Sequence, residues 1–130
     1  MIAGIGTDLC DIRRIESLLE KFGDRFTHKT FTKNERKRAD SVATRGSSYA
    51  KRFAAKEAVA KALAGPNTGA LSWQDVEVVN APSGLPQIIL HGKALKRVES
   101  RLERSQTYNI HLSLTDDYPY AQAYVIFEIL

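Results

Sequence analysis

Cysteine is nearly absent from this chain: Cys10 stands alone among 130 residues. A single thiol cannot close an internal disulfide, and nothing near it offers metal-ligand spacing. A reducing cytoplasm is therefore the expected compartment. Long hydrophobic runs are missing as well, and no apolar stretch approaches the roughly 18 residues that a membrane span needs. The opening, "MIAGIGTDLCDIRRIE", has no basic region followed by an apolar one, so it does not read as a secretory signal. Internal repeats, low-complexity tracts and linkers are also lacking, and one domain is expected across residues 1–130. What is present is the balance of a soluble globular protein, 43% hydrophobic and 26% charged, long enough to bury a core. A net charge of +4 and an isoelectric point near 9.3 suggest an anionic partner without saying which.

The pattern along the chain predicts an α+β fold with a largely antiparallel sheet. "IAGIGTD" reads as a strand ending at Asp8, and Asp11 can cap a helix whose apolar stripe is Ile12, Ile15, Leu18, Leu19 and Phe22, with Gly23 near its end. "TKNERKRAD" is a short charged helix opened by Thr32, with Glu35 completing a capping box. A long helix is expected from about Ser47 to Ala64, followed by the turn-rich "GPNTGA". Strands 76–79 and 86–90 flank the hairpin connection "NAPSG". "KALKRVESRLER" reads as helical, with Leu95, Val98 and Leu102 on one side. "YNIHLSLT" alternates strictly, and after "DDYPY" the last strand, "AYVIFEIL", is apolar on both faces, which suits a central strand or one covered by another subunit.

Within the long helix, "RFAAKEAVAKAL" places a carboxylate in the apolar stripe. With Phe53 at zero and the helical step of 100°, Ala60 and Ala64 fall within about 20°, Tyr49 about 40° to one side and Glu57 about 40° to the other. Lys61 sits one turn further along that edge. An ordinary i,i+4 ion pair between Glu57 and Lys61 accounts for the spacing, at about 0.2–0.5 kcal/mol. Against it stands the apolar setting, where an ionised carboxylate needs a cation or hydrogen-bond donors. Small neighbours at Ala50, Ala54, Ala60 and Ala64 let a ligand or backbone approach, and Arg52, Lys56 and Lys61 supply three cations within ten residues. Asp8 poses the same choice. It is a turn or cap residue, or, beside Gly4 and Gly6 and together with Glu57, one of two carboxylates for a magnesium–phosphate site. Lysines would then neutralise phosphate oxygens that the metal does not touch.

"GIGTDLCDIRRIE" at 4–16 and "RFAAKEAVAK" at 52–61, in this order and in a chain of this size, resemble the two signature segments of the 4′-phosphopantetheinyl transferases. Single-domain length and "IHLSLTDD" point to the bacterial holo-acyl-carrier-protein synthase branch. The resemblance implies that coenzyme A binds with Mg²⁺ on its pyrophosphate and that a serine of apo acyl carrier protein attacks the β-phosphorus. Phosphopantetheine moves to the serine, adenosine 3′,5′-bisphosphate leaves, and the product serves fatty acid biosynthesis. By motif position, Asp8 and Glu57 would hold the metal, Lys61 would contact the pyrophosphate, and Arg52 would face the 3′-phosphate, with Lys56 a further coenzyme contact. Glu57, directly or through a metal-bound water, would serve as general base. His111 matches a family histidine close to the coenzyme, or is a satisfied surface or interface histidine. Where the family often carries a Gly-Thr-Gly turn, this chain has Ala64, Gly65 and Pro66, and the proline lacks an N–H donor. Gly65 keeps flexibility there as a coenzyme contact. The resemblance further implies a homotrimer with coenzyme at subunit boundaries.

On the first helix Arg14, Lys21 and Arg25 fall within about 20° of one line, beside the apolar Leu18 and Phe22. A solvated basic edge explains this spacing, and the resemblance implies instead that the acidic recognition helix of the carrier docks there. A nucleic-acid-binding module also draws on the basic charge, but acidic residues are interleaved throughout and no recognition motif is evident, so no specific nucleic-acid partner is expected. A magnesium-dependent phosphohydrolase using the same carboxylates would release phosphopantetheine without an acceptor protein.

Overall fold

A computed structural model describes residues 1–66 and 68–130; Asn67, within the turn-rich break expected after the long helix, lies outside the described residues. The chain runs β1 (Ile2–Asp11), α1 (Ile12–Phe22), α2 (Asp24–Thr30), α3 (Lys33–Asp40) and α4 (Arg45–Ala62). A 3₁₀ turn at Trp73–Asp75 leads into β2 (Val76–Asn80), β3 (Pro86–Leu90), α5 (Gly92–Glu99), β4 (Tyr108–Asp117) and β5 (Tyr120–Ile129). Helix and antiparallel sheet mix as the α+β reading expected. One sheet has the order β1-β5-β4, and β2 and β3 form a separate hairpin.

Strand β5 is central in the larger sheet. Its inward row, Ala121, Ala123, Val125, Phe127 and Ile129, is buried beneath α4, which packs across β5 and β1. Its outward row is exposed at Tyr124 and Ile126, beside exposed Ile5 and Leu9 of β1. Both apolar faces foreseen for this strand are therefore present, one in the core and one open to solvent.

The two glycines of β1 explain how closely α4 lies. A Cβ on Gly6 would collide with the Ala58 carbonyl oxygen, and one on Gly4 with that of Ala62. Backbone of α4 thus rests directly on backbone of β1, which no larger residue allows. The inward row of β1 continues from these glycines to Asp8 and Cys10. Here one expectation is corrected: β1 does not end at Asp8 but stays paired with β5 to Asp11, opposite Tyr120.

Asp11 caps α1 as expected, its Oδ1 accepting the Arg13 N–H at 3.0 Å. At Gly23 the chain takes φ of +51°, a left-handed turn suited to glycine, and then resumes as α2, a helix the sequence pattern did not reveal. Thr32 and Glu35 form the reciprocal capping box of α3. Helix α4 starts and ends two residues before the expected bounds. Helix α5 stops at Glu99, so Leu102 packs on the core from outside it. No helix among the described residues is long and apolar enough to cross a membrane.

Candidate active site

Asp8 and Lys61 meet where the inward row of β1 passes the exposed edge of α4, and Glu57 lies one turn before Lys61 on that helix. The Lys61 ammonium lies 3.3 Å from Asp8 Oδ1 and donates to the Thr7 carbonyl at 2.9 Å. Lys61 is therefore engaged with β1 across the site, a use that the helical i,i+4 spacing does not require. Its side chain is 55% exposed and that of Asp8 18%, so the pair stands at the rim of the fold. Glu57 is half-buried and borders a cavity of about 220 Å³ walled by Ala60, Leu71, Trp73 and Val76.

Cys10 reports on the charges around this junction. Burial is the main cause that pushes its thiol up to about 11; Arg14 draws it down, while Asp8, Asp11 and Glu57 push it further up. Sequence reasoning considered Cys10 as a disulfide partner or metal ligand, and its burial two residues beyond Asp8 on the inward row follows from the strand register. The Arg14 guanidinium lies 5.5 Å from the centre of the Phe53 ring, and that ring stacks on Trp73 at 4.9 Å.

Other expected site residues lie elsewhere. The Lys56 side chain is 1% exposed, and its ammonium is 2.7 Å from Glu35. The expected coenzyme contact is thus paired inside the fold. The reason is its place on α4, one residue and about 100° from Glu57, facing α3 and β2. Burial lowers the Lys56 pKa, opposed by the attraction of Glu35. Arg52 is also buried, five residues and about 140° around α4 from Glu57. Its guanidinium donates to Ser48 O at 3.1 Å, Ser48 Oγ at 2.6 Å and Asn80 Oδ1 at 3.2 Å, while Nε has no partner among the described residues. Arg52 lines a separate polar cavity of about 310 Å³ together with Arg38 and Lys51.

Gly65 follows α4, and its N–H donates to Thr68 Oγ1 at 3.1 Å. The Arg101 guanidinium passes where a Cβ of Gly65 would sit. His111 lies on the outer face of the larger sheet, opposite Ile126, with Nε2 2.9 Å from Glu128 Oε1. Within one chain it shares no face with Asp8, which points to the other side of the sheet.

On the first helices the three-cation line is broken by Gly23, because Arg25 belongs to α2. Lys21 Nζ and the Arg25 guanidinium nevertheless both approach the exposed Phe22 ring, at 5.9 and 6.0 Å, whereas Arg14 sits over Phe53 instead. Leu18, Phe22 and Arg25 line a groove of about 320 Å³ that also includes Phe26 and Lys29. Those last two were missed because α2 was not recognised as a helix.

Residues 4–123 match the family described as the 4′-phosphopantetheinyl transferase superfamily. A holo-[acyl-carrier-protein] synthase of a Caulobacter species is 59% identical over 128 residues, covering 98% of this chain and 96% of its relative. The chain belongs to the 4′-phosphopantetheinyl transferase superfamily. Among solved structures, the holo-[acyl-carrier-protein] synthase of Neisseria meningitidis superimposes with a TM-score of 0.81 at 33% identity, covering 98% of this chain and 99% of that one. A holo-(acyl-carrier-protein) synthase of Bacillus anthracis in complex with CoA (3′,5′-ADP) gives 0.75 at 33% identity, covering 98% and 97%. The antiparallel sheet and the long helix across it are thus the architecture of this transferase superfamily, as the two motifs implied.

Proposed function

We propose that this chain transfers the 4′-phosphopantetheine group from coenzyme A to a serine of apo acyl carrier protein, releasing adenosine 3′,5′-bisphosphate, as a Mg²⁺-dependent step of fatty acid biosynthesis in the cytoplasm. The observation that carries the reading is the pairing of Lys61 with Asp8 across the β1–α4 junction, one helical turn from Glu57. The donor types fit the ion: Asp8 and Glu57 offer carboxylate oxygens, and hard oxygen donors suit Mg²⁺. Mg²⁺ keeps several waters and takes substrate phosphate oxygens, so two carboxylates suffice to hold it. Asp8 and Glu57 would hold the ion, which would supply a Lewis acid for the pyrophosphate. Lys61 would neutralise pyrophosphate charge from the rim, and such positioned charge is the main demand of phosphoryl transfer.

In the reaction the serine hydroxyl gives its proton to the Glu57 carboxylate, directly or through a water, as its oxygen forms a bond to the β-phosphorus. The bond from that phosphorus to the bridging oxygen breaks, and the bisphosphate leaves with the electron pair. Arg52, with its unpartnered Nε and with Arg38 and Lys51 around the same cavity, suits the 3′-phosphate. It turns away from Glu57, and His111 lies on the far side of the sheet. A coenzyme touching all three needs contributions from more than one copy, which supports the homotrimer. The open apolar row of Ile5, Leu9, Tyr124 and Ile126 offers the surface for that assembly. The basic, aromatic groove of Leu18, Phe22 and Arg25, with Lys21 over the Phe22 ring and Arg14 over Phe53, suits an acidic amphipathic helix of the carrier.

The test is to incubate the chain with apo carrier protein, coenzyme A and Mg²⁺ and to weigh the intact carrier. A gain of one phosphopantetheine group on its serine supports the reading. Free phosphopantetheine released without the carrier would point to a hydrolase instead. Sedimentation at assay concentration should show the trimer, and a fully active monomer would remove the shared-site part of the account.

A further inference from the structure

Glu35 and Lys56 are buried at opposite ends of one closed network. Glu35 Oε1, besides meeting Lys56, accepts the Thr32 N–H at 2.8 Å, and its Oε2 accepts the Val78 N–H at 2.9 Å. The Lys56 ammonium also donates to the carbonyls of Trp73 at 2.8 Å and Val76 at 2.5 Å. All three ammonium protons have acceptors, and both carboxylate oxygens have donors. Such a pair contributes little stability beyond what two packed apolar side chains would give, because both charges lose their water. Its distinctive product is geometry.

That geometry converges on Glu57. The pair ties α3, β2 and the 3₁₀ turn to the part of α4 that carries Lys56 and, next in the chain, Glu57. The Trp73 and Val76 carbonyls held by Lys56 belong to residues that wall the cavity beside Glu57. Trp73 in turn stacks on Phe53, beneath Arg14. None of this requires either charge to touch a ligand.

We propose that Glu35 and Lys56 are positioning residues for the transfer: their buried pair fixes the Glu57 carboxylate against the Trp73 wall of its cavity. The proposal rests on the role given to Glu57 above. Trp73 is the chain's single tryptophan, so its fluorescence reports on this wall without any turnover. The experiment uses Lys56→Met and Glu35→Gln in the full chain, assayed well below their melting temperatures with coenzyme A, carrier and Mg²⁺. For each, kcat per folded molecule should fall about 10- to 100-fold, with KM for carrier changed less than about twofold. Trp73 emission should shift to the red and become more open to acrylamide, with far-UV circular dichroism unchanged. In a Glu57→Gln background, Lys56→Met should lower the remaining rate no further, as expected of residues acting through one group.

If one variant fails to fold, the other carries the test. Folded variants with wild-type kcat and wild-type Trp73 fluorescence overturn the proposal, and so does failure of both to fold, since the pair is then structural only. An inactive wild type would instead count against the proposed function, and Trp73 fluorescence would still report whether the pair holds the wall.

Discussion

Two lysines five residues apart on α4 meet opposite fates. Lys61 stands at the rim of the fold, its side chain 55% exposed, beside Asp8; Lys56 is sealed inside against Glu35 at 1% exposure. Both belong to one motif, and both look equally able to reach a phosphate. The difference is rotational. Five residues turn the helix by about 140°, so one lysine faces the open edge of β1 and the other faces α3 and β2. A charge on the open side remains available for chemistry, whereas a charge on the closed side holds the helix in place.

The sharpest break of that comparison is in stability. Lys56→Met leaves the Glu35 carboxylate buried without its cation and should cost about 3–5 kcal/mol of unfolding free energy. Lys61→Met removes a rim pair and should cost no more than about 1 kcal/mol. Urea titration of the two variants checks both. Equal losses would mean that the two lysines do the same work.

Activity should reverse the ranking of mechanism. Lys61→Met, stable as it is, should lose about a hundredfold in turnover, the effect of removing one charge that stabilises the transition state. Turnover is read from the mass of the modified carrier. A smaller break concerns the surface on which α4 rests. Gly6→Ala should destabilise by about 1–3 kcal/mol, because its methyl group meets the Ala58 carbonyl and the helix must lift. A melting temperature unchanged by that substitution would contradict the close contact.

The smallest effect belongs to Cys10. The fold holds its thiol neutral, with the pKa raised to about 11. That contribution is complete below the unfolded thiol's range, near about 8.5, and is lost as pH rises from there through about 11. Cys10→Ala should therefore remove part of the alkaline fall in stability between those values. Alkylation of Cys10 at pH 8 should also be slow, since the thiolate is the reactive form.

How much of this was readable without coordinates depended on whether the partner was near in sequence. The Thr32–Glu35 capping box and the Asp11 cap are local pairs and stood out from spacing alone. Asp8, Glu57 and Lys61 were singled out by residue type in two short motifs, and the fold brings Lys61 to Asp8 across the β1–α4 junction. The pairing of Lys56 was not legible because its partner, Glu35, comes from another helix 21 positions earlier, and no helical period links the two. The line of Arg14, Lys21 and Arg25 assumed a straight helix, and the left-handed Gly23 broke it. "DRFTHKT" is too short and polar to show a period, so α2 and with it Phe26 and Lys29 stayed hidden. His111 was placed correctly on the polar row of β4, but the strand pattern does not say which face of the sheet a site occupies.

The central claim is that the open side of α4, facing β1, carries the chemistry through two carboxylates. Its most direct test is the rate at which Asp8→Asn and Glu57→Gln modify apo carrier protein, followed by intact mass at ordinary Mg²⁺ concentration. Both variants should melt within a few degrees of the wild type, and each should turn over at least about a hundredfold more slowly. Wild-type rates from either folded variant would contradict the assignment.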